Sequence, residues 1–392
     1  MSSQGIKRRA FLAGGGALIG TLSLAGCSES TRSVGRRDDE AADEWPTLGQ
    51  NTQNTKFNPG GAGPKSEPTV EWTYEGSNIL TPPLVAGNSI VLSGIETLAA
   101  LELDGTQRWE RTYRGVFDEL NEFTSIATVT EDIVCGTIRR QDRSFELVGF
   151  SHSGDRRWSI NLGGPSVGAT PFVMAVDGTI YTTIGVEFDE IVSPAVLAVD
   201  SLNGEILWSD SFENIRTYPM MTEQLVVVHS GDENLYAYDR ETGDVRWQFN
   251  TQDASISRPV AFDETIYVQY GNEMVGLAAD DGTVSVESMD QFGGDFAIVD
   301  GVVVESVGDT LRAFDIQRSE LLWENGYSNT LNPPAIADGI VYVGGEDERM
   351  RAIDILSGEE QWSRSFSGET MRPIVAQGKV LTVSDDTLFS LV

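Results

Sequence analysis

The chain is short of the side chains that carry most protein chemistry. It has two cysteines, Cys27 and Cys135, two histidines, His152 and His229, and only four lysines, Lys7, Lys56, Lys65 and Lys379. A lone pair of distant cysteines, one of them in a leader, provides no intrachain disulfide, so the fold has to hold by packing. His152 lies in the turn-like Ser-His-Ser-Gly and His229 ends the apolar run Leu225-Val-Val-Val-His. Neither starts a metal-ligand spacing or a triad pattern, which argues against zinc and Ser-His-Asp chemistry. Cys135 sits in the strand-like Ile133–Ile138 and reads as a small core residue, not a nucleophile. Gly163-Gly164 and Gly344-Gly345 open no helices, so they are turns and not phosphate loops. The acidic turns at 231–234 and 347–349 offer too few fixed oxygens for a calcium cage.

Positive charge is scarce as well. The formal net charge is −33. Clustered Lys and Arg are needed to hold phosphates, so nucleic acid is excluded as a partner, and an anionic lipid surface is disfavoured. The acids are spread along the chain and do not cluster. A diffuse acidic surface poor in Lys resembles that of proteins from extreme halophiles, where salt screens the self-repulsion.

Long apolar runs are missing except near the start. Lys7-Arg8-Arg9-Ala-Phe11-Leu12 leads into an apolar stretch that ends in Leu24-Ala-Gly-Cys27. Arg8 and Arg9 with Phe and Leu behind them resemble a twin-arginine export signal, and Leu-Ala-Gly-Cys resembles a lipobox. The resemblance implies export, cleavage before Cys27 and a lipid on its sulfur. Cleavage removes three cations and no acid, taking −33 to −36. The apolar stretch falls short of the ~20 residues that a spanning helix needs. Residues 28–44 are polar, charged and almost without apolar side chains, and they read as a disordered tether. Contact with the membrane is then through the lipid alone.

What the chain does have is a repeat. Trp72, Trp109, Trp158, Trp208, Trp247, Trp323 and Trp362 are separated by 37, 49, 50, 39, 76 and 39 residues, so one slot, at Val286, lacks its Trp. Five of these Trp residues follow a Gly by four positions (Gly105, Gly154, Gly204, Gly243 and Gly358); Gly282 precedes Val286 in the same way, and Ser319 precedes Trp323. Asp200, Asp239, Asp315 and Asp354 stand four positions before that Gly or Ser. A strand running into Asp, a turn at Gly and a strand carrying Trp make a hairpin; Gly supplies positive φ and the Asp carboxylate accepts turn N–H groups. A period near forty with four short strands per unit predicts an all-β, eight-bladed propeller in which the Trp residues fill the gaps between blades. The last unit, from Met371, has only three strand signals, while Thr69–Glu75 carries a Trp strand without predecessors. That stretch is expected to complete the eighth blade and leave no open edge.

Units such as Asn234-Leu-Tyr-Ala-Tyr-Asp239-Arg-Glu-Thr-Gly243-Asp-Val-Arg-Trp247 and Met350-Arg-Ala-Ile-Asp354-Ile-Leu-Ser-Gly358-Glu-Glu-Gln-Trp362 resemble the PQQ-like repeat, and the resemblance covers residues 45–392. The opening Trp45-Pro-Thr-Leu-Gly-Gln-Asn-Thr-Gln-Asn-Thr55 is similar to the lead-in that such exported propellers carry before the ring. Two branches share this blade. In quinoprotein dehydrogenases the resemblance implies PQQ and calcium near the ring axis, a catalytic Asp and commonly an adjacent Cys-Cys pair. Here there is no such pair, and no Glu, Asn or Asp aligns with the calcium ligands. The other branch comprises cofactor-free lipoprotein propellers, such as the outer-membrane assembly lipoprotein, and the order of signal, lipobox, tether and bare propeller resembles it. The expectation is therefore a monomeric, non-catalytic scaffold with no cofactor and no metal, binding a protein or glycan. The alternatives are a quinoprotein oxidoreductase with a degenerate site and a glycan or solute sensor using the axial channel.

Three expansions, at 113–123, 139–144 and 185–194, account for the long Trp spacings, and all fall on the face of second-to-third turns and inter-blade links. Phe117, Phe123, Arg139, Arg140, Arg143 and Phe188 are expected to border a partner surface there.

Overall fold

In the computed structural model the described residues are Val34, Arg37, Asp38 and residues 42–392, apart from 52, 80, 96, 113–121, 131–132, 141–143, 164–171, 184–195, 212–218, 231–232, 252–257, 271–272 and 291–292. The export signal, with Arg8, Arg9 and Cys27, lies outside them, as do Phe117, Arg143 and Phe188. Among the described residues every regular element is a strand, and the strands form eight sheets of a β-propeller. Numbered along the chain, blades 1 to 8 begin with the inner strands Leu84–Ala86, Glu122–Val129, Phe172–Val176, Met220–Met221, Val260–Phe262, Asp295–Val299, Ala335–Ala337 and Ile374–Ala376; in blade 4, Met220–Met221, Leu225–His229, Asn234–Asp239 and Val245–Asn250 form an antiparallel meander. The first strands of consecutive blades approach one another in six of the eight steps, which puts them around the axis. Each blade packs against a neighbour on both sides, so second strands such as Ser89–Ser93 and Leu225–His229 are buried along their whole length.

The ring closes as expected. Val70–Glu75 pairs antiparallel with Thr387–Leu391, Trp72 opposite Ser390, and becomes the outer strand of blade 8. Thr69 and Val392 exchange backbone hydrogen bonds at 2.8 and 3.0 Å. Both ends of the ring sequence are thereby pinned in one sheet.

The hairpins follow the physics read from the repeat. Asp200 Oδ1 accepts from the N–H groups of Leu202 and Asn203 at 2.9 and 3.0 Å. Asp239, Asp315 and Asp354 do the same for Glu241 and Thr242, Gln317 and Arg318, and Leu356 and Ser357. Every Trp of the series donates its Nε1–H to a backbone carbonyl, at 2.5–3.1 Å: Leu103, His152, Ser201, Arg240, Ala279 and Ile355 of the following blade, and Pro64 for Trp362. The last acceptor replaces a hairpin that blade 8 lacks, because its outer strand comes from the N-terminal side. Six of the seven rings also pack against the turn glycine of the next blade. A β-carbon on Gly105, Gly154, Gly204, Gly243, Gly282 or Gly358 would lie 2.6–2.9 Å from Trp72, Trp109, Trp158, Trp208, Trp247 or Trp323. The turn that follows the Trp-less slot at Val286 is the one built on Ser319, with φ of 54°. Where the indole is missing, a side chain is tolerated.

Candidate functional site

The axis is not open. The lead-in Trp45–Asn58 runs inside the ring and bonds to the inner strands. Trp45 and Val85 exchange two backbone bonds in blade 1, and Val129 of blade 2 donates to Pro46 O. Ala261 of blade 5 donates to Gln53 O, Ile298 of blade 6 to Thr55 O and Ile336 of blade 7 to Lys56 O, at 2.9–3.0 Å. Phe57–Asn58 adds a parallel fifth strand to blade 7. Side chains add bonds to blades 4, 5 and 8: Asn54 Nδ2 donates to Pro219 O and Pro259 O, and Asn58 Nδ2 to Val375 O. First strands have one unpaired edge facing the channel, and a bare edge needs partners. The lead-in supplies them, at the expense of left-handed backbone at Gln50, Asn54 and Lys56, with φ of 71°, 61° and 53°. The lead-in, which precedes the blades in sequence, thus fills the channel of the ring.

The chain enters from the face that carries the glycine turns. Asp43 accepts from Gly378 N and Asn58 Nδ2, Glu44 accepts from Gly87 N, and Arg37 N donates to Asp338. Val34 is buried in the core of blades 6 and 7. The stretch 28–44 read as a tether therefore yields its C-terminal part to the ring. Its acids and amides meet exposed N–H groups of first-to-second turns, which composition alone does not reveal.

Toward the opposite, expansion-bearing face, Lys56 of the lead-in lies beside the start of the blade 6 inner strand. Lys56 is 1 % exposed, and its Nζ donates to Phe296 O at 2.5 Å while lying 5.9 Å from the Phe296 ring centre. Asp295 opens the inner strand of blade 6, and Arg258 and Arg372 immediately precede the inner-strand segments of blades 5 and 8. Burial, first, and then the charges of Arg258 and Arg372 push the Lys56 ammonium down to about 8, although Asp295 pulls it up. For Asp295 burial acts upward, but Lys56, Arg258 and Arg372 hold it below the usual carboxylate range.

The same face carries Arg139 and Arg140, two of the residues expected to border a partner surface. Arg139 is exposed at the end of Val134–Arg139. Arg140 donates to Glu146 Oε2 through Nε and Nη2, at 3.2 and 2.8 Å, and Glu146 also pairs with Arg156. Arg140 is thus exposed yet tied to its own blade. Of Phe123 the backbone is described, paired with Ile138. Between blades 7 and 8 a cleft of about 600 Å3 opens on this face, lined among others by Asn332, Glu348, Glu369, Thr370, Asp385 and Asp386. It was invisible in the sequence because its carboxylates come from three separate links and turns. His152 accepts Trp109 Nε1–H at its carbonyl and bonds Thr130 O through Nε2, and His229 is buried with Nε2 3.4 Å from Thr251 Oγ1. Burial pushes the Cys135 thiol well above its ordinary value, so it is inert.

Trp45–Asn58 occupies the centre of the ring, where the quinoprotein resemblance would put PQQ, and among the described residues no group of three or more His, Cys, Asp or Glu is placed to hold a metal ion.

Solved structures with this fold span both branches. BamB from Moraxella catarrhalis superposes with a TM-score of 0.66 at 15 % identity, over 83 % of this chain and 98 % of that one. A europium-containing methanol dehydrogenase gives 0.66 at 10 % identity, over 88 % and 90 %. The quinohemoprotein alcohol dehydrogenase of Comamonas testosteroni gives 0.62 at 11 % identity, over 89 % and 80 %. At such identities these likenesses establish the fold alone. No curated protein matches the sequence. The family model described as outer membrane protein assembly factor BamB matches residues 147–290 and 283–390, more than half of the chain, and the chain belongs to that PQQ-like repeat family.

Proposed function

We propose that this chain is an exported, lipid-anchored, non-catalytic propeller that serves as a binding scaffold for a protein or glycan at the outer face of the cytoplasmic membrane of a halophile. The observation that carries this reading is the filled axis. The residues that bond the lead-in are inner-strand backbone groups of five blades, so the segment is part of the fold and not a removable cover. A scaffold needs only a rigid ring and an exposed face, and the face opposite the chain entry has both the expansions and the cleft between blades 7 and 8. Carboxylates, an amide and a hydroxyl line that cleft, and they suit a partner presenting hydroxyl or cationic groups.

The full mature chain in molar salt, incubated with PQQ and calcium and then desalted, is expected to retain no quinone absorbance. Stoichiometric retention with dye reduction on adding alcohols or sugars would overturn the reading. Replacing the expansions at 113–123, 139–144 and 185–194 by short turns is expected to strip partners from a crosslinked pull-down of the anchored protein.

A further inference from the structure

Asn is followed by Gly twice in this sequence, at Asn203-Gly204 and Asn325-Gly326. Such a pair is chemically labile, because Gly has no β-carbon to shield its nitrogen from the preceding side-chain amide. The fold treats the two pairs differently. Asn325 lies in the blade 6 outer strand Glu320–Gly326, paired with Leu311, and Gly326 is paired with Thr310. Asn325 Nδ2 donates to Gly358 O of blade 7 at 2.8 Å, so a reaction there would break a strand pair and an inter-blade bond together. Asn203 sits instead in the third-to-fourth turn of blade 3, with its side chain exposed. One bond, from Gly204 N to Asp200 O at 2.9 Å, ties up the attacking nitrogen, and an exposed turn opens at less cost than a strand. The Glu205 N–H donates to Asn203 Oδ1 at 2.7 Å, which puts a donor on the oxygen that gains charge when the amide carbon is attacked.

A carboxylate fits this position. Asp104 and Asp281 precede Gly105 and Gly282 in the corresponding turns of blades 1 and 5. Their Oδ1 atoms accept from the N–H groups of Thr106 and Thr283, both at 2.9 Å, as Asn203 accepts from Glu205. The N–H of Thr106 and then its hydroxyl hold Asp104 below the usual carboxylate range, and the hydroxyl of Thr283 and then its N–H do the same for Asp281.

We propose that Asn203 is a modification site, deamidated spontaneously while the propeller stays folded, and that Asn325 is spared. Gly204 N gives its proton to solvent base and bonds to Asn203 Cγ; the Cγ–Nδ2 bond breaks and ammonia leaves. The cyclic imide then takes up one water, and opening at one carbonyl gives aspartate, at the other isoaspartate. Nothing is oxidised or reduced. The aspartate product reproduces the turns of blades 1 and 5. Isoaspartate adds a methylene to the backbone beside Gly204, where a β-carbon would already lie 2.9 Å from Trp158, so it loosens the contact of blades 2 and 3. The site is independent of the scaffold reading, since it requires no partner.

The test is incubation of the full chain at mildly alkaline pH, folded in molar salt and, in parallel, unfolded in urea, followed by peptide mapping with fragmentation that separates isoaspartate from aspartate. In urea both asparagines are expected to convert. In the folded chain Asn203 is expected to convert on the order of tenfold faster than Asn325, or more, as the difference between opening a turn and opening a strand implies. N203D is expected to keep the urea midpoint of the natural chain, whereas aged chains carrying isoaspartate unfold at lower urea. Equal rates at the two asparagines in the folded chain, or conversion of Asn203 only after unfolding, overturns the site. A midpoint as low in N203D as in the isoaspartate chains overturns the fit of a carboxylate to this turn.

Discussion

Gly204 and Trp158 show what the repeat encodes at single positions. A turn glycine serves two needs here, a φ of 77° and room for the neighbouring indole, since a β-carbon would sit 2.9 Å from the ring. Gly204→Ala is expected to destabilise the ring by ~1–3 kcal/mol. Ser319→Gly relieves only backbone strain at the turn facing the Trp-less slot, so its denaturation midpoint should move by less, and in the stabilising direction. Equal effects of the two substitutions in urea would contradict the coupling of turn and indole. Lys56 gives a second test at this scale. Its folded value of about 8 lies below the unfolded one, so between the two the unfolded chain binds the extra proton and stability rises with pH. The cost of the buried charge is fully present below pH ~8 and is relieved toward pH ~10, worth up to ~3 kcal/mol. Urea midpoints from neutral pH to pH ~10 are expected to climb more in the natural chain than in K56M.

The strand hairpins were legible in the sequence because their determinants are local: Asp, Gly and Trp at fixed offsets report a turn that two adjacent strands build by themselves. The closing strand was legible for a related reason, since Trp72 lacks the strands that should precede it. The lead-in was not. Trp45 lies outside the Trp period, and the polar run Gln50-Asn-Thr-Gln-Asn-Thr55 looks like a linker until it is set among inner-strand edges, where its amides become the required partners. The axial charges escaped for the same reason, because Lys56, Arg258, Asp295 and Arg372 interact only after the ring has closed. One signal was available: a Trp and a Lys standing in a polar stretch of a chain so poor in lysine. Trp45 is wholly buried, in a core cluster drawn from blades 1, 2, 7 and 8. Trp45→Ala is expected to cost ~3–5 kcal/mol, as for a large core side chain. Hydrogen exchange of the inner-strand amides of Val85, Ala261, Ile298 and Ile336 should quicken when residues 42–58 are deleted. Unchanged protection would mean that the lead-in is dispensable for the inner edges.

Across the whole molecule the opposing quantities are packing between blades and repulsion among acids. Each inter-blade contact is short in sequence and repeated, so the ring gains from every blade and loses all of them if closure fails at the sheet shared by Val70–Glu75 and Thr387–Leu391. Against this stands a net charge of −33, with exposed acids on every blade. The Debye length falls from ~10 Å at 0.1 M salt to ~3 Å at 1 M, so repulsion between acids on neighbouring blades is screened only in the second case. The thermal unfolding midpoint is therefore expected to rise steeply as sodium chloride increases toward ~1 M and to flatten beyond it. A screening origin also demands that guanidinium chloride, an electrolyte, first raise stability at low ionic strength before denaturing, whereas urea lowers it from the start. A midpoint independent of salt would place the acids too far apart to repel, and would remove the reason to assign this ring to a saline environment.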